Sequence, residues 1–209
     1  MDIIWNPKRI EERSMEIIEP YLQPYNFPPA EKAVVKRVVH TSGDPGLIDA
    51  LRFHPDACAT GIKALRNGAA IFTDVNMLLA GINKTKVAAY GGSLHCGIAT
   101  AEVKAAALEW QITRAAAEMR LWGNRLNEAV VAIGNAPTAL FELIDLIEKG
   151  LARPALIIAT PVGFVGAAEA KALLPKKNPV PFMTILGTRG GSPMAAAMVN
   201  ALLYFKGEG

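Results

Sequence analysis

"EAVVAIGNAPTALFELIDLIEKG", residues 128–150, decides the fold. It opens on a continuous apolar run, turns at Gly134, Asn135, Ala136 and Pro137, and continues with apolar residues at helical spacing. The plan returns in "PALIIATPVGFVGAAEAKALL" (154–174) and in "VPFMTILGTRGGSPMAAAMVNALLYF" (180–205). Strands written as unbroken apolar runs are buried on both faces, and alternation with helices requires a parallel sheet covered on each side. The expected class is α/β, a three-layer α/β/α sandwich around a mainly parallel sheet. Ligands of such sheets bind at the carboxyl ends of the strands, where all three turns lie.

Working outward, "GLIDALRFH" (46–54) reads as a short strand and "PDACATGIKALRNG" (55–68) as a helix opened by Pro55 and closed by Gly68. "AAIFTDV" (69–75) reads as a buried strand, "NMLLAGI" (76–82) as a short helix, "KVAAY" (86–90) as a strand and 100–122 as one long Ala-rich helix. At the start of the chain, Asn6 is a good N-cap and Pro7 a good first helical residue. Ser14 lies within the apolar stripe of Ile10, Ile17 and Ile18, and Pro20 and Pro24 are expected to end that helix. A second helix is expected from about Pro29 to about Val39. Val34, Val35, Val38 and Val39 face inward, and Lys36, Arg37 and His40 lie off that face.

The 209 residues fit one domain, with a core large enough to need neither disulfide nor metal. A composition 51% hydrophobic and 20% charged excludes disorder. The net charge of +3, with no Lys/Arg block, allows a local anion site and gives no argument for nucleic acid. Cys58 and Cys96 have no metal-ligand spacing, and His95 beside Cys96 is too few ligands for zinc, so no metal is expected. Two free thiols suit a reducing cytoplasm. The opening "MDIIWNPKRIEER" has no apolar leader core, and no apolar run of about 20 residues occurs, so neither secretion nor a membrane is expected.

Several turns carry candidate chemistry. Gly134 and Asn135 can adopt positive φ, so the backbone N–H groups after them could cradle an anion; a plain strand-to-helix turn reads equally well. "TPVGFVGAAEAK" (160–171) lacks both nucleotide-loop fingerprints, and its Phe164 could lie on a flat apolar ligand. In "GTRGGSP" (187–193), Arg189 stands among three glycines before a helix that Ser192 can cap and Pro193 can start. That combination suits carboxylates, against the alternative of a solvated turn. Arg114 and Arg120 flank the small residues Ala115, Ala116 and Ala117, or simply form a solvated face. Asp74 and Asp44 are candidate acids that equally well cap turns. His40, one of three histidines, ends a basic helix before Thr41, Ser42, Gly43 and Asp44. A histidine so placed can act as acid or base near neutrality, although a lone histidine is more often structural.

Taken in order, "VVKRVVHTSGD", "TDVNMLLAGI", "ITRAAA", "IGNAPTALFELIDLI", "PVGFVGAAEAK" and "GTRGGSPMAAAMVNAL" resemble the precorrin-8X methylmutases of cobalamin biosynthesis, from about residue 6 to 204. The resemblance implies a flavodoxin-like sheet, a homodimer and an isomerase needing no cofactor. Its reaction would move a methyl group from C-11 to C-12 of a tetrapyrrole polycarboxylate, with or without cobalt. It places the catalytic acid at His40, which would protonate the macrocycle near ring C. Ser14, Arg37 and Arg114 would bind substrate, joined by Thr41, Gly134, Asn135 and Arg189. The chain would be one domain, 1–209, with 1–45 an N-terminal helical segment carrying active-site residues, and the apolar helix 193–205 is a candidate dimer surface.

The chain departs from the family pattern in three places. The usual Gly-Arg-Lys-Gly-Gly-Ser loop has Thr188 and Arg189 as its second and third residues, Ala170 replaces a serine, and Thr73 replaces a serine. Two competing readings are a non-catalytic tetrapyrrole carrier, which has no use for an acid at His40, and a nucleotide-binding domain, which the missing phosphate fingerprints oppose.

Overall fold

The structure is a computed structural model, and it describes residues 3–207. Ten helices and six strands follow in the order α1 (Pro7–Leu22), α2 (Pro29–Ser42), β1 (Leu51–Phe53), α3 (Ala57–Arg66), β2 (Ile71–Thr73), α4 (Asn76–Gly81), α5 (Lys84–Ala89), β3 (Leu94–His95), α6 (Ala101–Glu109), α7 (Arg114–Trp122), β4 (Val130–Ile133), α8 (Pro137–Glu148), β5 (Leu156–Ala159), α9 (Ala167–Lys177), β6 (Phe182–Ile185) and α10 (Ser192–Tyr204).

The sheet runs β1-β6-β5-β4-β2-β3. All pairs are parallel except β1 with β6. The five parallel strands, taken in chain order, thus lie 2-1-3-4-5, the flavodoxin-like arrangement. Its topological switch point falls between β2 and β4, where Asp74 and Gly134 follow their strands. Strands β4, β5 and β6 are buried at every residue, as continuous apolar runs require. Their side chains alternate between two cores. One joins the sheet to α1, α2, α3 and α10, and the other to α7, α8 and α9.

Local chemistry revises several expected boundaries. Helix α1 passes through Pro20 and ends at Leu22. Proline there removes the donor for the Glu16 carbonyl, but Glu16 is exposed, so water can replace it. Helix α2 runs on through Thr41 and Ser42, because the Ser42 hydroxyl bonds back to the Val39 carbonyl at 3.2 Å. Gly43 then closes it at φ 66°, its N–H donating to Val39. Of the strand expected over 46–54, only Leu51–Phe53 pair with the sheet, and Pro45–Ala50 form a 3-10 turn capped by the Asp44 carboxylate.

"KVAAY" is mostly helical, within α5, because the Asn83 side chain caps the Lys86 N–H at 2.8 Å. The expected long helix over 100–122 is two. Gln111 takes φ 53°, and Thr113 caps α7 through the Ala116 N–H. Pro55 lies outside α3, and Gly191 rather than Ser192 is the cap residue of α10. Helix α10 is buried from Met194 to Leu203 apart from the half-buried Asn200, so it forms core and not an outer apolar face.

Candidate active site

Every turn singled out above lies at the carboxyl edge of the sheet, and two helices from the start of the chain reach it. Helix α2 packs along α10, and α1 packs on α2. The last turn of α2 stands beside the loop after β6, where the Arg189 guanidinium donates to the Asp44 carboxylate at 2.5 Å and to the Gly46 carbonyl at 3.1 Å.

Two hollows flank this end of α2. One, of about 300 Å³, is lined by Ser14, Ile17, Ile18 and Tyr21 of α1 and by Val39, His40, Gly43 and Pro45. The other, of about 730 Å³, is lined by Glu11, Arg37, Thr41, the segment 80–83, Ala197, Asn200 and Tyr204. The split follows from helix geometry. Residues 37 and 41 share a face four apart, whereas 40 is rotated about 100° from 41. His40 and Ser14 therefore line one hollow, and Arg37 and Thr41 line the neighbouring one. His40 is exposed to its hollow. The Ser14 hydroxyl donates to the Ile10 carbonyl at 2.8 Å, which leaves its oxygen free to accept. The Arg37 guanidinium is ion-paired with Glu11 of α1.

The remaining candidates are placed across the same edge. Thr113 and Thr138 bond through their hydroxyls at 2.7 Å, so the N-termini of α7 and α8 lie side by side and put exposed Arg114 near the turn at 134–136. That turn does not offer its amides to a ligand. Neither Gly134 nor Asn135 has positive φ. The N–H groups of Gly134, Asn135 and Ala136 all donate to the Asp74 carboxylate, at 3.0, 2.8 and 2.7 Å. Gly134 is required by close approach instead, since a Cβ there would lie 2.6 Å from Ser192 Cα. Asp74 is thus a structural clasp across the switch point. Burial raises its pKa, against the three amides, which lower it. Arg189 is paired with Asp44, as Arg37 is with Glu11.

Three groups were hidden from sequence reasoning. Tyr21 shares the His40 hollow; its spacing of seven from Ser14 on one helix was the available signal. Asn200 clasps the α4–α5 turn, accepting from the Asn83 N–H at 2.9 Å and donating to the Gly81 carbonyl at 2.8 Å. A polar residue inside the apolar run of α10 could have shown it. Glu118 of α7 is fully buried and accepts from the Gly97 N–H, while its Oε2 is the one buried side-chain polar atom without a partner among the described residues. Burial pushes its pKa up to about 8. Nothing before or after it in an Ala-rich helix distinguishes it from a solvated glutamate.

Among the described residues no cluster of three or more His, Cys, Asp or Glu is arranged to hold a metal ion, and no helix is long and apolar enough to cross a membrane. The arrangement sets an imidazole at an apolar-walled hollow and the guanidinium of Arg37 in the hollow beside it.

Comparison with known proteins finds relatives along nearly the whole chain. The family model described as precorrin-8X methylmutase matches residues 9–205. The cobalt-precorrin-8 methylmutase of Priestia megaterium is 42% identical over 203 residues, covering 97% of this chain and 90% of that protein. The precorrin-8X methylmutase of Pseudomonas aeruginosa is 40% identical, covering 97% of each. A crystal structure of precorrin-8x methyl mutase from Thermus thermophilus superposes with a TM-score of 0.84 at 36% identity, covering 93% of this chain and 95% of that one.

Proposed function

We propose a mechanism from a fixed premise: this chain belongs to the precorrin-8X methylmutase family. It is an isomerase of cobalamin biosynthesis, moving a methyl group from C-11 to C-12 of precorrin-8X or its cobalt form. Relatives of similar identity are named for the free and for the cobalt-bearing substrate.

His40 is the acid. Its imidazolium gives a proton to the macrocycle near ring C, the methyl group migrates with its bonding electrons, and the neutral imidazole recovers a proton from the product. Atoms balance without a methyl donor, as an isomerisation requires. The observation that carries this reading is that His40 and Ser14, from separate helices, line one apolar-walled hollow at the ligand edge of the sheet. A hollow of about 300 Å³ takes one edge of a tetrapyrrole and not the whole ring. The rest of the macrocycle lies outside it, with peripheral carboxylates toward Arg37 and Arg114, and Thr41 and the 134–136 turn bordering it. Exposed Phe164 and Val165, on the loop after β5, supply apolar surface at the same edge.

We read the chain as one catalytic domain whose residues 1–45 complete the site. It acts in the cytoplasm as a homodimer. The exposed apolar stripe of Ile10, Ile17 and Tyr21 on α1 supports an assembly that covers it.

The test is spectroscopic. Purified protein incubated with precorrin-8X or its cobalt form should convert the absorption spectrum to that of the corrin product. His40→Ala should lose conversion and keep product binding. No change with either substrate, in folded wild-type protein, defeats the reading; near-normal turnover by His40→Ala removes His40 from it.

A further inference from the structure

We propose that Lys171, Arg189 and Asp44 form a positioning strut, running from α9 through the loop after β6 to the end of α2, that fixes the wall of the hollow holding His40. The strut itself is geometry; its catalytic consequence rests on the role proposed above for His40.

Lys171 is the starting point. It is fully buried on α9 beside Ala170 and close to Leu174, positions that are plain core. An unpaired buried ammonium is costly, and an aliphatic side chain would fill the same space without that cost. Among the described residues its Nζ makes one hydrogen bond, donating to the Arg189 carbonyl at 2.6 Å, and no carboxylate pairs with it. Burial lowers its pKa to about 8. The residue therefore serves that carbonyl.

The carbonyl belongs to a loop held at several further points. The Gly191 N–H donates to the Thr160 carbonyl at 2.7 Å, the Thr160 hydroxyl to the Gly191 carbonyl at 3.0 Å, and the Gly163 N–H to the Thr188 carbonyl at 3.1 Å. Gly190 passes so close to β5 that a Cβ would lie 2.2 Å from the Thr160 carbonyl oxygen. With its backbone fixed, Arg189 projects a guanidinium to Asp44 and to the Gly46 carbonyl. Asp44 in turn accepts from the Gly46 N–H at 2.8 Å, which sets the turn that follows α2. Gly43 and Pro45, on either side of Asp44, line the hollow with His40. Arg189 thus holds the enclosure through Asp44 and the Gly46 carbonyl.

The test combines kinetics with nuclear magnetic resonance of the full-length protein. In substrate-free protein, Lys171→Met should move the His40 ring resonances, although the two residues do not touch. With substrate, kcat should fall about tenfold while KM changes much less, as expected when an acid is displaced and binding is kept. The double variant Lys171→Met/Asp44→Asn should lose no more than the worse single variant, because both cut one chain; independent structural effects would multiply. Folded Lys171→Met with unmoved His40 resonances and wild-type kcat overturns the strut, and so do multiplying losses. Should Lys171→Met not fold, exposed Arg189→Ala decides, since unmoved His40 resonances there are equally fatal. Absence of turnover in the wild type would defeat the proposed function and leave the resonance measurement standing as the test of the strut.

Discussion

Glu118→Gln should make the protein more stable at neutral and alkaline pH, and the gain should grow with pH. The glutamate is fully buried, and its pKa rises from an ordinary 4.5 to about 8. Burial is the main cause; the Gly97 N–H opposes it, and the Asp74 charge adds to it. A group that holds its proton more tightly when folded loses stability for the fold as pH rises from its unfolded to its folded pKa. The window is therefore about pH 4.5 to 8, with stability falling as pH increases. At 1.36 kcal/mol for each pH unit, full ionisation would cost at most about 5 kcal/mol, and relaxation around the charge should reduce this to about 2 kcal/mol. Glutamine keeps an oxygen for the Gly97 N–H and cannot ionise. Urea unfolding of both proteins at pH 5, 6, 7 and 8, compared through midpoints at equal m, isolates the effect from other titrating groups. The curves should meet near pH 5 and separate by about 2 kcal/mol at pH 8. A constant difference across that range would refute the assignment of a buried proton to Glu118.

Asp74→Asn should cost about 3 kcal/mol in the same assay, because one of its atoms becomes an N–H donor facing amides that now donate to a carboxylate. Gly190→Ala should lose at least about 2 kcal/mol, from a contact with the Thr160 carbonyl and from φ of 153°. Lys171→Met, although slower in turnover, should be no less stable than the wild type below pH 8. The lysine's folded pKa of about 8 lies below its ordinary 10.5, so wild-type stability should rise between those values, and the methionine variant should lack that rise.

The layers of the fold were legible because β4, β5 and β6 carry no polar residue that would betray a solvent face, Thr184 excepted, and its hydroxyl is absorbed by the Ala159 carbonyl at 2.6 Å. The position of His40 in the last turn of a helix was legible because a histidine shortly before a glycine cap is a local pattern. Contacts over long sequence distance were not. Asp74 fills the amides of a turn 60 residues away, and Arg189 reaches Asp44 across 145 residues. That Thr41 lies with Arg37 and not with His40 depended on how far α2 continues; it runs to Ser42 before Gly43 closes it. Helix breaks at Gln111 and the helical state of "KVAAY" turned on single capping side chains, Thr113 and Asn83, inside windows whose average composition says otherwise.

The two outer strands carry a consequence for assembly. β1 has three residues and β3 has two, and they form the opposite borders of the sheet. Neither offers a row of free backbone groups long enough to template a strand from another molecule. Growth of the sheet by addition of a strand is therefore disfavoured on both sides.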